Sequence, residues 1–282
     1  MASKPKRAEE YTSEQSQQVR ATCLYVATRL GDLMDELLIV GGLVPSLIID
    51  QENLEAGAEP HVGTMDLDVG LQVTLLDEER YSEVSARFRD AGFAPDRKPG
   101  GELIRQRWTL SENRHVTVDF LIGPTLASDV GGRLRNLEED FAAIIIPGLQ
   151  CAFRDRKKLT LKGSTVLGEK AERRVWVCGA GAYVVLKALA FDRRGEEKDA
   201  YDLYYVLRYY GSGLESVAEG LRTLLDDTNA QEAVEILRRD FLDIDSVGPK
   251  RLAHFMRGEP DDDLQADVVG LVERLLNLVT DR

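Results

Sequence analysis

Cysteine, histidine and long apolar runs are all scarce in this chain, and each scarcity excludes something. The three cysteines, Cys23, Cys151 and Cys178, stand far apart with no C-x-x-C pair. A disulfide framework or a structural zinc site needs closer or more numerous thiols, so buried reduced cysteines in a cytoplasmic protein are the expectation. The three histidines, His61, His115 and His254, are equally scattered. None lies in H-E-x-x-H or beside an obvious nucleophile, which leaves Ser-His-Asp hydrolysis and histidine-bound zinc without support. The longest nearly apolar stretch, residues 37–49, contains two glycines, a proline and a serine and is too short to span a bilayer. Residues 1–10 carry charges and no apolar h-region, which points away from a signal peptide. Positive charge is also in deficit: 36 Lys and Arg against 49 Asp and Glu give a formal charge of −13. That is unlike a general nucleic-acid coat, although it leaves room for a local basic groove.

What is present is a globular composition, 43% apolar and 30% charged over 282 residues, long enough for one large domain or two ordinary ones. Residues 12–38 repeat apolar side chains at threes and fours (Val19, Cys23, Val26, Leu30, Leu33, Leu37) behind a cap at Thr12 or Ser13, which predicts a helix. Residues 37–40 read as a short buried strand ended by Gly41-Gly42, and 43–50 as a short apolar helix. Polar residues 51–63 read as a loop, 64–75 as a strand and 77–91 as a helix. Residues 103–110 and 115–121 alternate about Glu112-Asn113 and form a hairpin. A strand-rich, basic region follows over 141–177. From Ala180 the pattern is helical, with helices expected at 180–194, 197–210, 214–227, 230–241 and 262–280. The expectation is therefore an α+β chain: a mixed β-sheet flanked by helices over 1–177, then a helical domain over 178–282.

The chemistry concentrates in Gly63-Thr64-Met65-Asp66-Leu67-Asp68-Val69-Gly70. On a strand, residues two apart share a face, so Asp66 and Asp68 present two carboxylates side by side. Their repulsion and desolvation are relieved by a divalent cation, and Mg²⁺ is commonly held by one or two carboxylates plus substrate phosphates. A solvated strand end with two acids is the plain alternative. Gly41-Gly42 leaves a strand and opens a helix, where backbone N–H groups can approach an anion. A simple tight turn would look the same. Thr64 can offer a hydroxyl to a phosphate oxygen. In Val116-Thr117-Val118-Asp119-Phe120 a lone acid interrupts an apolar strand; it needs either a metal or a basic partner such as Arg105 or Arg107.

This order of strand, Gly-Gly, helix, h-G-[ST]-x-D-x-D strand and third Asp on a later strand resembles the DNA polymerase β-type nucleotidyltransferase superfamily. The run Lys187-Ala188-Leu189-Ala190-Phe191-Asp192-Arg193-Arg194-Gly195-Glu196-Glu197-Lys198-Asp199-Ala200-Tyr201-Asp202-Leu203-Tyr204 is similar to the AbiEii abortive-infection toxins of bacterial toxin–antitoxin systems, which include the MenT enzymes. The resemblance covers roughly residues 37–210. It departs at Leu43, where that pattern has Ser or Thr after Gly-Gly, so a phosphate-contacting hydroxyl is missing or comes from Thr64 or Ser46. Read on its own, Lys187 lies on an apolar helix face and needs an anion, either a triphosphate or the Asp199 and Asp202 of the next helix.

The resemblance implies transfer of a nucleotide from an NTP to an acceptor hydroxyl, with Asp66, Asp68 and Asp119 on one or two Mg²⁺ (or Mn²⁺) ions. Gly41, Gly42, Thr64, Lys187 and Asp202 would lie on the nucleotide, and the helical domain would complete the cleft. Transfer RNA or another RNA is the favoured acceptor, because Arg154, Arg156, Lys157 and Lys158 form a basic strip with one acid, Asp155, among them. A protein hydroxyl is the alternative acceptor, and a small antitoxin is an implied partner. Two other classes share the D-x-D signal: nucleotide-sugar glycosyltransferases, which leave Gly-Gly and Asp119 unexplained, and a non-catalytic nucleotide-binding module.

Overall fold

The structure, a computed structural model, describes residues 5–72 and 78–280. Residues 73–77, which hold the end of the strand expected over 64–75 and the start of the helix expected from Asp77, lie outside the described residues, as does the side chain of His115. The chain divides into two compact units. One comprises Ser13–Leu43 and Thr64–Val177. The other comprises Met1–Thr12, Val44–Gly63 and Cys178–Arg282. One division between the units falls between Val177 and Cys178, and residues 5–12 and 44–63 cluster with the helices rather than with the sheet.

Among the described residues the sheet unit is built on nine strands: β1 (Leu37–Val40), β2 (Asp66–Leu71), β3 (Phe93–Arg97), β4 (Leu103–Leu110), β5 (Asn113–Ile122), β6 (Leu134–Asn136), β7 (Ala142–Ile145), β8 (Arg156–Ser164) and β9 (Lys170–Cys178). Their order is β3-β4-β5-β2-β1-β9-β8, with β7 beside β5 and β6 beside β7. The sheet is mixed: β2 runs parallel to β5 and antiparallel to β1, and β1 runs parallel to β9. Alternation decides its two faces. Leu67, Val69, Val118 and Phe120 are fully or almost fully buried on one face, under α1 (Ser13–Leu30) and α3 (Glu78–Asp90). Phe88 of α3 meets Phe120 and Trp108 edge-on, and Phe141 closes the same aromatic cluster. Such pairs add roughly 0.5–1.5 kcal/mol each beyond their burial.

The opposite face is polar at one end. There Asp66 and Asp68 stand at the start of β2. Two residues on, Gly70 leaves room for Leu149 of α4 (Leu149–Arg154), whose Cδ1 lies 3.3 Å from where a Gly70 Cβ would be.

The helical unit contains α2 (Val44–Ile48), α5 (Ala180–Arg194), α6 (Glu197–Tyr209), α7 (Leu214–Arg222), α8 (Thr228–Phe241), α9 (Val247–Arg257) and α10 (Asp262–Thr280). Helix α5 packs on α6, α7 and α8. Gly181 permits the approach to α7, because a Cβ there would fall 2.8 Å from the Gly220 Cα. The α+β architecture is as expected, a mixed sheet flanked by helices and a helical C-terminal region. Helices α4 and α9 and strands β3 and β6 were not anticipated. Among the described residues, no helix is long and apolar enough to cross a membrane. The three cysteines are buried and form no disulfide among the described residues, and burial pushes the Cys23 thiol up to about 12, which makes it a packing group.

Candidate active site

The register of β2 against β5 assembles the acidic group. Asp66 pairs with Thr117, and Asp68 pairs with Asp119. Partners in a parallel ladder share a face, so all three carboxylates project from the same side of two adjacent strands. Asp66 Oδ1 accepts the Thr117 hydroxyl at 2.7 Å. On the far side of β5, Arg107 of β4 pairs with Asp119 in register. Its guanidinium holds that carboxylate with two parallel bonds, Nε to Oδ1 at 2.7 Å and Nη2 to Oδ2 at 2.6 Å. This fork-on-fork geometry is the strong form of an ion pair. Asp119 is buried, and its hydrogen bonds raise the Arg107 pKa against the opposing effect of burial; Asp66 and Asp68 add to the raising field.

The Gly-Gly turn belongs to the same place. Val40, the last residue of β1, pairs with Asp68, and the chain then enters the turn Gly41–Leu43. Gly41 has φ +70°, a left-handed conformation natural to glycine. A Cβ there would lie 2.7 Å from the Asp68 Cγ and 2.9 Å from its Cβ. The turn therefore closes directly over the Asp68 carboxylate, and only glycine leaves the space. Thr64 is buried, with its hydroxyl near the Asp66 backbone, 3.4 Å from the N–H and 3.3 Å from the carbonyl. Leu43 is buried in the sheet unit, which accounts for an apolar side chain where the resembled pattern has a hydroxyl.

Does this donor set suit a hard divalent cation? Asp66 and Asp68, half-buried oxygen donors two residues apart beside a cradle that a Cβ would fill, do suit one. Asp119 differs from them in that both of its oxygens accept hydrogen bonds from Arg107. Among the described residues no three His, Cys, Asp or Glu side chains form a ready-made cage.

Lys187 and Asp202 lie in the helical unit, in a buried network of their own. Asp199 and Asp202 are one turn apart on α6 and fully buried. Lys187 on α5 donates to Asp199 Oδ1 at 2.9 Å and to Asp202 Oδ2 at 2.6 Å. Arg194 grips Asp199 with two bonds, and Lys198 donates to Asp202 at 2.7 Å. Burial works against charge on Asp202, but Lys187 and Lys198 outweigh it and hold the carboxyl well below its usual range. Burial likewise opposes the Lys187 ammonium, and Asp199 and Asp202 raise it nonetheless. Of the two anions the sequence allowed for Lys187, the structure supplies the pair of aspartates.

One member of that network was missed. His61, read as an isolated histidine, sits buried against Tyr201 with ring centroids 5.1 Å apart. The Gly63 N–H donates to its Nδ1 at 3.1 Å, so the ring proton is on Nε2, which donates to Asp202 Oδ1 at 2.9 Å. Burial pushes its pKa down to about 4. Only the residues around Lys187 gave any sequence signal of this network; His61 is 141 positions from Asp202. Thr117 could have been found, since it stands two before Asp119 and therefore on its face.

The basic strip is divided between elements. Arg154 ends α4, while Arg156, Lys157 and Lys158 open β8. Arg156 lies 4.2 Å over the Trp176 ring and Lys158 5.1 Å over it. Val177 is in register with Ile39, and Ile39 with Val69, so Trp176 projects from the opposite face, the one that carries Asp68. Lys158 also donates to Asp35 at 2.7 Å.

No known protein family matches this sequence, and no curated protein does. A solved structure, an antigenic nucleotidyltransferase-like protein from Paracoccidioides brasiliensis, aligns over 78% of this chain and 94% of its own, at 14% identity and a TM-score of 0.37. A likeness that loose carries nothing about activity.

Proposed function

We propose that the chain is a metal-dependent nucleotidyltransferase that moves a nucleotide from an NTP to an acceptor hydroxyl. The observation that carries this reading is the placement of Asp66, Asp68 and Asp119 on one sheet face, with the Gly41-Gly42 turn against Asp68. Asp66 and Asp68 would hold Mg²⁺ or Mn²⁺, which would supply positive charge against the triphosphate; the acceptor hydroxyl attacks the α-phosphorus in line and pyrophosphate leaves. The chain's own residues supply position. Thr117 orients Asp66, the glycine turn fixes Asp68, and Arg107 fixes Asp119. The backbone of Gly41 and Gly42 and the Thr64 hydroxyl are the phosphate contacts. Lys187 and Asp202, engaged in the buried network with Asp199, Lys198 and His61, are assigned no phosphate contact.

RNA, including transfer RNA, is the proposed acceptor. Its support is the pair of cations over Trp176 on the carboxylate-bearing face, since a basic and aromatic surface suits a single-stranded backbone with stacking bases. A toxin role of the AbiEii kind and a partner antitoxin rest on the resemblance alone.

The test is incubation of wild type, Asp66→Ala and Asp68→Ala with α-labelled NTPs, Mg²⁺, and either total RNA or lysate protein. Label should enter RNA with wild type and fall by ~10²–10³ in each variant, the usual effect of removing one preorganised charge stabiliser. Undiminished labelling by either variant overturns the assignment. Label in protein only would move the acceptor.

A further inference from the structure

Several guanidinium groups of the sheet unit are spent on acids. Arg29 is on Glu169, Arg80 on Glu36, Arg89 on Asp140 and Arg107 on Asp119. Arg156 is held differently. Its guanidinium lies 4.2 Å over the Trp176 ring and 5.9 Å from the centre of the Phe153 ring. Among the described residues its Nη1 is covered from solvent with no acceptor. Stacking uses the flat face of a guanidinium and leaves the N–H groups along its edge. The rings therefore aim this cation without neutralising it. A charged donor left without an acceptor is costly, and the half-buried side chain leaves an anion room to reach its other N–H groups. Lys158, over the same ring, is already bonded to Asp35.

The surroundings say which anion. Alternate residues of β8 and β9 share a face, and beyond Arg156 and Lys158 that face carries Lys162, Lys170 and Arg174, all exposed. Lys162 meets Glu172 at 3.5 Å and Lys170 meets Ser164 at 2.8 Å across the two strands. The acids of the row are thus Glu172 and, against Lys158, Asp35. A row of cations beside an aromatic ring suits a chain of phosphates with stacking bases better than a single carboxylate. Strand β9 lies two strands from β2 in the sheet order, about 10 Å at roughly 4.8 Å per strand. The row therefore starts beside the carboxylates and not among them.

Resting on the reading of RNA as acceptor, we propose that Arg156 is a phosphate-contact residue, whose edge N–H groups bind one backbone phosphate of a single-stranded acceptor. The contact holds the strand and takes no part in making or breaking bonds.

The experiment titrates a labelled single-stranded oligoribonucleotide into wild type, Arg156→Met, Arg156→Gln and Arg156→Lys over a range of NaCl concentrations, and repeats label transfer with the same RNA. One phosphate contact on a single strand contributes about 0.7 to the slope of log K against log salt. Arg156→Met and Arg156→Gln should each lose about that much slope and bind roughly 10–100-fold more weakly, the scale of one charge-assisted hydrogen bond. Arg156→Lys should keep the slope. In label transfer the KM for RNA should rise and kcat should hold. An unchanged slope in either charge-removing variant that folds overturns the proposal, because a merely structural arginine would alter stability and not counterion release. Saturation of wild type by inorganic phosphate at low millimolar concentration, with RNA binding alike in all four proteins, overturns it in favour of a free-phosphate site. Wild type that labels protein and binds no RNA overturns it too, with nucleotidyl transfer intact. Undiminished labelling by Asp66→Ala overturns the transfer reading instead, and a slope lost with the Arg156 charge would still stand as a phosphate contact.

Discussion

Gly41→Ala is the sharpest test of how the sheet unit holds its acidic group. The residue has φ +70°, where a side chain costs about 1–2 kcal/mol in backbone strain alone. The added methyl would also lie 2.7 Å from the Asp68 Cγ and 2.9 Å from its Cβ. Rotation of the carboxylate relieves the first contact but not the second, so the turn or the start of β2 must shift. Forced overpacking of this kind costs typically 1–3 kcal/mol. The single substitution should therefore lower stability by about 3 kcal/mol. In an Asp68→Gly background, which removes that Cβ as well as the carboxylate, most of the crowding is gone and the strain remains, so the loss should shrink to roughly 1–2 kcal/mol, a coupling of at least about 1 kcal/mol. Urea unfolding followed by tryptophan fluorescence reads the right part of the molecule, because both tryptophans, Trp108 and Trp176, belong to the sheet unit. Additive losses, to within about 0.5 kcal/mol, would show that the turn does not press on Asp68 and would refute the reasoning.

Two further outcomes concern the helical unit, where circular dichroism at 222 nm is the readout. Lys187→Met leaves Asp199 and Asp202 buried with one cation fewer and should cost about 3–5 kcal/mol, the usual effect of breaking a buried ion pair from one side; a loss under about 1 kcal/mol would contradict the network. His61 has its pKa held at about 4, below its ordinary 6.5, so the unfolded chain takes up this proton first. The stability it contributes is complete above about 6.5 and is lost as the pH falls towards 4, by up to roughly 3 kcal/mol. In His61→Gln that part of the decline between pH 6.5 and pH 4.5 should vanish, and identical slopes in the two proteins would rule it out.

The parts of this structure that were legible in the sequence are those governed by local periodicity. The alternation in Asp66-Leu67-Asp68-Val69 and in Val116-Thr117-Val118-Asp119-Phe120 fixed which side chains share a face, and helical spacing gave α1, α5, α6 and α10. Register was not legible. Nothing local says that Asp68 meets Asp119 rather than Thr117, because that choice is made by packing between strands some fifty residues apart. For the same reason Arg107 could be named as a partner for Asp119 but not preferred over Arg105. Strand β3 was hidden by Gly92, Pro95 and Pro99. It is the edge strand of the sheet and shifts register at Pro95/Asp96, the setting in which proline is tolerated. Helix α9 was hidden by Gly248-Pro249, yet proline fits a first helical turn, where its missing N–H has no partner to lose.

The two units resolve buried charge in different ways. In the helical unit two aspartates are met by Lys187, Lys198 and Arg194 with His61 neutral, and the long side chains can move to find their partners. On the sheet no such freedom exists. Neighbouring strands lie about 4.8 Å apart and alternate residues on a strand about 6.8 Å apart, so the backbones of Asp66, Asp68 and Asp119 are pinned close together. Their repulsion cannot be relaxed by moving; it can only be answered by positive charge brought to the same face. Arg107 answers one carboxylate. A divalent ion held by Asp66 and Asp68, as proposed above, would bind the folded chain and not the unfolded one, and would stabilise the fold as its concentration rises above its dissociation constant. The ladder that crowds these carboxylates would then also be what favours a compact, doubly charged cation.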